Sequence, residues 1–517
     1  MINFNKEKMV ILLSVIVFLV ALLLRAYNLT VLPVFADEAI YIRWAQVMQA
    51  EPTLRFLPLS DGKQPLFMWV MILLFKLISD PLSAGRFLSV LTGLGTMSGI
   101  IVLTYLLFRS TKASMYASLI YAVMPFAVFF DRMALVDSQL SMFGVWIFIF
   151  TLLSVRFVRL DMAMLAGFSL GGALLTKSPA MFFSLLIPVT IIFIKISENK
   201  WKQTIQLIKV LGGWVVIWGI GYAMFNILRL GPNFHLLGAR NRDYVYPFSH
   251  LWENFRDPFV FHFDRAIEWL TTMGAYLLLP LAAVGVVGNY KKYFKEILFL
   301  LIIGFAPILI QAEFAKVFTA RYVYFTLPYF VILASSAFIV FSGNLQKYLF
   351  IVLVVFIGLS THYDLKLLFN PEKAPLPRSE RSGYLEEWTA GTGIKEVADY
   401  LRMEYIREPE KKIVVGTEGY FGTLPDGLQI YLNDIREITI VGVGLSISEI
   451  PDSLKESKLA GNRTFLVANS SRLNFDKEFS EYGLKIISSY KKADRPFGLR
   501  EYVVHGPYDT FYFFELE

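Results

Sequence analysis

Five short motifs in this chain contain the acidic and basic side chains that could carry out chemistry. They are Asp37-Glu38, Asp61-Gly62-Lys63-Gln64-Pro65, Asp131-Arg132-Met133-Ala134-Leu135-Val136-Asp137, Thr176-Lys177 and Arg321-Tyr322. A carboxylate can deprotonate a hydroxyl or help to hold a divalent ion, and lysine and arginine are the usual ligands of phosphate. The combination indicates group transfer from a phosphate-linked donor to a hydroxyl.

Each motif also has a structural interpretation that the sequence leaves open. The acids of Asp37-Glu38 could cap a helix, and Lys177 could extend from a helix end to the membrane surface. Asp137 could form an ion pair with Arg132, and Arg321 could anchor a helix at the interface. Only the arrangement of these side chains in space separates the two interpretations.

A histidine-containing loop, residues 229–266, is a further candidate site. It holds His235, His250 and His262 together with Arg240, Arg242, Arg256 and Arg265. The histidine spacing fits no known ligand motif. A divalent metal ion is therefore a candidate cofactor without assigned ligands, and the sequence predicts no other cofactor.

The composition places these motifs in a membrane protein. The chain has 517 residues, of which 56% are hydrophobic and 18% are charged, whereas soluble chains are about 25% charged. Its apolar runs predict about eleven transmembrane helices. The net charge of +7 suits a neighbour of anionic lipid, and no basic stripe indicates nucleic acid. The absence of cysteine excludes disulfides and thiolate chemistry.

The apolar runs define the helices that must position the motifs. The first, residues 9–24, follows two lysines and lacks a small-residue cleavage site, so we expect an uncleaved first helix. The others are residues 87–108, 113–130, 139–155, 162–176, 179–194, 205–228, 267–288, 297–311, 323–341 and 348–361. Residues 66–79 reach only about 21 Å as a helix, too short for a core of about 30 Å, and we expect them to lie flat on the outer interface.

The distribution of charge predicts the topology. With residues 66–79 outside the bilayer core, lysine and arginine are concentrated in alternate short loops, which include the Lys291-Lys292 cluster. Such loops face the cytoplasm, so the N-terminus is predicted inside and the C-terminus outside the cell membrane. All five motifs then share the outer face. Ionisable side chains at membrane depth are costly, and their common side points to function.

Residues 37–50 form the second feature of the first external loop, residues 25–86. Ile40, Tyr41, Trp44, Val47 and Met48 follow the spacing of one helix face. This pattern predicts an amphipathic helix with its apolar face in the bilayer, or a helix packed beneath an external loop.

The composition changes after residue 362. Residues 370–377 contain three prolines and predict an extended linker. Beyond it the patterns predict a helix at 394–403 and strands at 413–416, 438–443, 464–467, 484–489 and 501–504. We predict a transmembrane domain over 1–362 and a soluble, extracytoplasmic α/β domain over 363–517.

The ordered motifs resemble the C-type, polyprenyl-phosphate-dependent glycosyltransferases of glycosyltransferase family 39. This family includes the protein O-mannosyltransferases and the aminoarabinose transferase that modifies lipid A. The resemblance covers roughly residues 10–330 and rests on Asp37-Glu38-Ala39 with Tyr41, Lys63-Gln64-Pro65-Leu66, Arg132-Met133-Ala134-Leu135-Val136-Asp137, Leu175-Thr176-Lys177 and Arg321-Tyr322. It implies a GT-C-type helical membrane fold and an inverting sugar transfer on the outer face, with Asp37 at the position of the proposed general base.

The chain departs from the family pattern at three positions. Ile40 stands where the aminoarabinose-type pattern has arginine, and Arg43 one turn away is a candidate substitute. Gln64 replaces the first of two prolines. Gly62 stands where some members have a glutamate, with Asp61 as the neighbouring carboxylate.

Together these observations predict a membrane glycosyltransferase. Its partners are a polyprenyl-phosphate sugar donor, membrane lipids and a protein, lipid or glycan acceptor, with no nucleic acid. The candidate catalytic residues are Asp37, Glu38 and Asp137, and the candidate substrate-binding residues are Tyr41, Arg43, Lys63, Arg132, Lys177, Arg240, Arg242, Arg321 and Tyr322. The alternative is a transporter or flippase of lipid-linked sugars, for which internal repeats and midplane charges are expected.

Overall fold

The computed structural model describes residues 4–195, 198–341 and 343–517. Most of the chain is helical. The α-helices, in chain order, are α1 (Phe4–Ala26), α2 (Ala36–Ala50), α3 (Leu66–Leu74), α4 (Pro81–Phe108), α5 (Thr111–Ala122), α6 (Pro125–Phe130), α7 (Val136–Phe157), α8 (Leu160–Thr176), α9 (Ala180–Leu186), α10 (Lys200–Phe225), α11 (Phe234–Tyr244), α12 (His250–Asn254), α13 (Phe259–Thr272), α14 (Leu278–Asn289), α15 (Phe294–Phe314), α16 (Ala320–Tyr324), α17 (Leu327–Val340), α18 (Asn344–Phe369), α19 (Arg378–Arg381), α20 (Ile394–Arg407), α21 (Asp426–Leu432), α22 (Asp452–Leu459) and α23 (Arg500–His505).

Apolar helices make up most of the N-terminal two thirds. Within the described residues, five are long and apolar enough to cross a membrane, and five more are shorter apolar helices of 10–17 residues. The long ones are Pro81–Phe108, Val136–Phe157, Lys200–Leu230, Phe294–Phe314 and Asn344–Phe369. The prediction of a helical polytopic membrane protein is therefore confirmed, while the number of spans stays a prediction.

Prolines divide two of the predicted runs into shorter pieces. The run at 113–130 is broken before Pro125, which is the first residue of α6. The run at 179–194 consists of α9 and a 3-10 segment, Ile187–Phe193, that begins beside a proline. Proline lacks a backbone donor and collides with the preceding turn, so each break lies where a continuous helix would be strained.

The short helix α3 spans only nine residues. At 1.5 Å per residue this is about 13 Å, far less than a bilayer core. A helix of this length is too short to span the core by itself, and the placement of residues 66–79 at the interface stays a prediction.

The chain divides into two compact units. The membrane unit comprises Met1–Tyr27, Thr53–Val70 and Arg86–Pro377, and the sheet unit comprises Asn28–Pro52, Met71–Gly85 and Arg378–Glu517. The sheet unit is thus assembled from the C-terminal region and two segments of the loop predicted at residues 25–86. The boundary near residue 377 lies at the end of the proline-containing linker.

The sheet unit contains a five-stranded sheet. Its strands are β1 (Ile413–Glu418), β2 (Ile438–Gly444), β3 (Arg463–Asn469), β4 (Leu484–Lys491) and β5 (Thr510–Leu516). Their order is β2-β1-β3-β5-β4; β1 is parallel to β2 and β3, and β5 is antiparallel to β3 and β4. The predicted α/β domain and four of its five predicted strands are confirmed.

The strand predicted at 501–504 is wrong, because these residues lie in α23. The fifth strand of the sheet is β5 instead. Its Phe511, Phe513 and Phe514 are buried, and aromatic residues favour strands. β5 pairs with β3 and β4 along its length, whereas 501–504 lie in the connection before it.

Helix α2 packs within the sheet unit. Ile40, Tyr41, Trp44 and Met48 are buried, and the side chain of Gln46 donates a 2.8 Å hydrogen bond to the carbonyl of Ile430 in α21. The apolar face of α2 is covered by protein. This favours the packed helix over the helix with its face in the bilayer.

Candidate active site

Lys177 and Asp137 form an ion pair in the membrane unit. Lys177 directly follows α8, and Asp137 lies in the first turn of α7, where the helix dipole favours a negative charge. The Nζ of Lys177 lies 2.6 Å from Oδ1 of Asp137, and the two side chains are 17% and 1% exposed. Lys177 Nζ also lies 4.5 Å from the ring centroid of Tyr322. Three predicted site residues therefore meet here.

A second cluster forms around Asp61. One carboxylate oxygen lies 3.3 Å from Nζ of Lys63, and the other lies 3.6 Å from a guanidinium nitrogen of Arg240. Gly62, which stands between Asp61 and Lys63 in the sequence, has φ +62°. A Cβ atom on this residue would lie 2.5 Å from Cβ of Arg240. Only glycine accommodates both the left-handed backbone and this close approach. The absence of a glutamate at position 62 thus has a structural reason.

A side-chain hydrogen bond joins the two lysine motifs. Gln64 Nε2 donates to Oγ of Ser178 at 2.9 Å, across 114 residues of sequence. Gln64 follows Lys63, and Ser178 follows Lys177, so this contact brings the two lysine segments side by side. The glutamine that replaces the family proline is the residue that makes the connection.

Asp131 is the centre of a buried polar cluster. It accepts hydrogen bonds from Arg25 Nε at 2.8 Å, Tyr121 Oη at 3.1 Å, Tyr324 Oη at 2.6 Å and Ser138 Oγ at 2.5 Å. These partners come from four different helices or loops, and all are buried. Asp131 therefore holds the end of α1 against the rest of the membrane unit.

Arg132 serves the same helix end. Its Nη1 donates to the carbonyls of Leu24, Arg25 and Tyr27, at 3.0, 3.1 and 2.6 Å. These carbonyls lie in the last turn of α1 or directly after it, where helix carbonyls lack intrahelical partners. The structural alternative in which Asp137 pairs with Arg132 is wrong, because Asp137 pairs with Lys177. A role for Arg132 in substrate binding stays a prediction.

The acidic pair lies at the start of α2, in the sheet unit. Glu38 is buried, and its Oε2 accepts a 3.0 Å hydrogen bond from the backbone amide of Phe35. Glu38 thus caps the helix, as the structural interpretation expected. Asp37 in the same turn is half-buried. The cap interpretation therefore applies to Glu38, and catalytic roles for Asp37 and Glu38 stay predictions.

Tyr41 and Arg43 also belong to α2. Tyr41 is buried beside Trp44, with ring centroids 6.1 Å apart. Arg43 Nη1 donates to Oδ1 of Asn433 at 2.6 Å, and burial lowers the pKa of the Arg43 guanidinium. Both residues contribute to the packing of the sheet unit, and their binding of substrate stays a prediction.

The remaining candidates lie in the membrane unit. Arg321 and Tyr322 share the short helix α16, so Arg321 is adjacent in sequence to the ring that Lys177 contacts. Arg242 is exposed near the end of α11, and its carbonyl accepts a hydrogen bond from Lys316. Of the two loop arginines, Arg240 joins the Asp61 cluster.

The histidines do not converge on one point. Nδ1 of His250 lies 3.5 Å from Glu313, and Nδ1 of His262 lies 3.1 Å from the carbonyl of Ala312. Among the residues that the structure describes, no group of three histidine, aspartate or glutamate side chains could hold a metal ion. The divalent ion stays a prediction without ligands.

Sequence reasoning missed Arg25 and Asp364. Asp364 is fully buried in α18, and neither of its carboxylate oxygens has a hydrogen-bond partner within the described residues. Arg25 and Arg132 are positive charges close enough to act electrostatically on the Asp364 carboxylate. Asp364 lies three residues beyond the apolar run at 348–361, and an acidic residue at the end of such a run is a signal that could have identified this position.

Comparisons with known proteins identify the fold. Residues 62–220 match the family model described as dolichyl-phosphate-mannose-protein mannosyltransferase. The structure matches ArnT from Cupriavidus metallidurans in the apo state with a TM-score of 0.61 and 14% identity, over 99% of this chain and 98% of that chain. The same protein bound to undecaprenyl phosphate matches with a TM-score of 0.56 and 14% identity, over 100% and 98%.

An oligosaccharyltransferase from Archaeoglobus fulgidus, in the apo form, also shares the fold. It matches with a TM-score of 0.52 and 12% identity, over 91% of this chain and 70% of that chain. No curated protein matches in sequence. The predicted resemblance to polyprenyl-phosphate-dependent C-type glycosyltransferases and the GT-C fold are confirmed.

Proposed function

We propose that this protein transfers a monosaccharide from a polyprenyl-phosphate donor to an acceptor hydroxyl on the outer face of the cell membrane. The observation that carries the proposal is the Gln64–Ser178 contact, which brings the Lys63 and Lys177 segments together. Two separated basic motifs converge, as a phosphate site requires. The matching fold has been crystallised with undecaprenyl phosphate in ArnT.

In this proposal the membrane unit binds the donor. Lys63, Lys177, Arg240 and Arg321 supply positive charge, and the apolar helices accommodate the lipid. Asp61 and Asp137 hold three of these basic side chains in place through ion pairs. Fixed cations stabilise the negative charge that develops on the leaving phosphate, and they do so without reorganising during the reaction.

Asp37 is the proposed general base. It accepts the proton of the acceptor hydroxyl while that oxygen forms a bond to the anomeric carbon. The bond between the anomeric carbon and the phosphate oxygen breaks, and polyprenyl phosphate leaves with the bonding electron pair. Attack opposite to the leaving group inverts the anomeric centre. The half-buried position of Asp37 is compatible with access to a hydroxyl.

The direct test is a release assay. Purified protein is incubated with a panel of polyprenyl-phosphate sugars, and free polyprenyl phosphate is measured. We expect release with one donor class and inversion at the transferred sugar. Transport of an intact lipid-linked sugar across a bilayer, without release of polyprenyl phosphate from any donor, would overturn the proposal in favour of a flippase.

A further inference from the structure

The carboxyl edge of the sheet has the topology of a ligand site. β1 and β3 are neighbouring parallel strands. After β1 the chain continues to β2 on one side of the sheet, and after β3 it continues to β4 and β5 on the other. The connections after β1 and β3 thus leave the sheet in opposite directions, and a crevice opens between them at the carboxyl ends of these strands. Open α/β sheets bind ligands in such crevices.

Glu418 and Asn469 occupy this edge, as the last residues of β1 and β3. The amide of Asn469 donates to Oε2 of Glu418 at 2.6 Å, and Nδ2 of Asn469 donates to Oε1 at 2.7 Å. Both Nδ2 and the backbone amide are thus oriented by one carboxylate. Oδ1 of Asn469 is buried and has no partner among the described residues. A buried acceptor without a donor is unfavourable, and a ligand hydroxyl would satisfy it.

The loops that flank this edge carry exposed aromatic side chains. The Arg472 guanidinium, three residues after β3, lies 4.7 Å from the ring centroid of Trp388, and Trp388 is 38% exposed. Tyr420, two residues after β1, is 66% exposed. Exposed aromatic surface beside a few oriented polar groups is the usual composition of a small-molecule site.

The loop that carries Trp388 adjoins the start of α2. The carbonyl of Thr389 accepts a 3.1 Å hydrogen bond from the amide of Ala36, and Ala390 forms a bridge with Phe35. Trp388 is therefore one residue from a contact that holds the backbone next to Asp37. This places the aromatic loop and the proposed base on one compact unit, joined by backbone hydrogen bonds.

We propose that this edge binds a saccharide portion of the acceptor. The unpartnered Oδ1 of Asn469, in a side chain held by Glu418, presents an acceptor atom, which calls for a hydroxyl donor and disfavours an anion. Arg472 supplies donors, and the rings of Trp388 and Tyr420 supply apolar surface for the faces of a sugar. The inference rests on the proposed function, because it names the acceptor class, and it makes the acceptor a glycan or glycolipid.

Saccharide binding to the full-length protein in detergent tests the site directly. The probes are methyl glycosides of the common hexoses with maltose and gentiobiose, followed by saturation-transfer NMR. We expect binding to the wild type, and binding about tenfold weaker in Trp388→Leu and Arg472→Gln, the size typical of a lost aromatic or arginine anchor. Tyr405→Leu, which changes a half-buried aromatic side chain in the last turn of α20, at the opposite end of β1 from Glu418, should bind like the wild type.

The two proposals fail in different ways. If no saccharide binds, or if the Trp388 and Arg472 variants bind as well as the wild type, the acceptor site is refuted even when donor release continues. If polyprenyl phosphate is released from no donor while the variants still lose saccharide binding, the glycosyltransferase proposal fails and the site stands.

Discussion

Lys177 lies between the Asp137 carboxylate and the face of the Tyr322 ring. The ion pair is nearly buried, so each charge depends on the other for compensation. The second carboxylate oxygen of Asp137 has no hydrogen-bond partner within the described chain. This pairing lets Asp137 orient a cation, and a catalytic role for Asp137 stays a prediction.

Breaking this pair should destabilise the membrane unit. Asp137→Asn leaves the Lys177 ammonium without its counter-charge, and we expect a loss of about 3 kcal/mol with a lower thermal midpoint in detergent. The double variant Asp137→Asn/Lys177→Met removes both charges and should recover part of that loss. A double variant less stable than Asp137→Asn alone would contradict the assignment.

Asp37→Asn should abolish turnover while keeping the fold. A general base contributes about 10²–10⁴ in rate, and asparagine keeps the shape without the basicity. We expect unchanged donor affinity, measured by equilibrium binding, and kcat lower by that factor. Glu38→Gln is the matched variant, since it weakens the charged cap on Phe35. If kcat falls in Glu38→Gln and stays at the wild-type value in Asp37→Asn, the base is Glu38.

Lys63 and Arg321 should contribute to donor binding. Replacement by Met and Gln removes charged hydrogen bonds, each worth roughly 1.5–3 kcal/mol, so the donor KM should rise about tenfold or more. Lys347→Met, an exposed lysine at the start of α18, is the control. Donor KM values equal to that of the control would exclude these residues from the phosphate site.

Lys492 should give the sheet unit a pH-dependent stability. Burial lowers the pKa of its ammonium to about 8, although Asp509 opposes the shift. In the unfolded chain the pKa of this lysine is about 10.4. Between pH 8 and that value the unfolded chain therefore binds more protons than the folded chain. Stability therefore rises with pH across that interval, by about 1–3 kcal/mol.

The check is hydrogen exchange in β4 and β5, corrected for intrinsic rates, from pH 8 to pH 10. Protection should increase with pH in the wild type and in Lys485→Met, whose side chain is exposed. Lys492→Met should remove the increase. An identical slope in Lys492→Met would show that another group titrates.

The predicted topology can be tested by labelling, because the chain has no native cysteine. A single cysteine at Lys292 should react with a membrane-impermeant reagent only after cells are opened. A single cysteine at Lys485 should react in intact cells. Reaction of the Lys292 position from outside would reverse the topology and with it the proposed outer-face site.

Local signals in the sequence were enough for the helices and most strands. The apolar runs appear as helices because length and hydrophobicity act within each segment. The breaks at Pro125 and near Ile187 follow from a property of proline that could have been applied. β5 was missed although its aromatic residues favour a strand, since strand pairing depends on partners far along the chain.

Long-range contacts set the limits for the site. The motif from Asp131 to Asp137 is continuous in the sequence. Its two carboxylates nevertheless have different partners, because Asp131 contacts Arg25 and Asp137 contacts Lys177. The residues between them form a tight turn and the start of α7, which separates the two carboxylates. Similarly, nothing local indicates that Gln64 would meet Ser178.

The discontinuous sheet unit has a consequence for biosynthesis. Gln46 and its partner Ile430 are 384 residues apart in the chain. At about 5–20 residues per second, a ribosome needs roughly 20–80 s to make the partner after α2 has emerged. During that interval the buried side chains of α2 have no surface to cover them. The nascent chain should therefore depend on a chaperone or on the translocation machinery to shield α2 until α21 has been made.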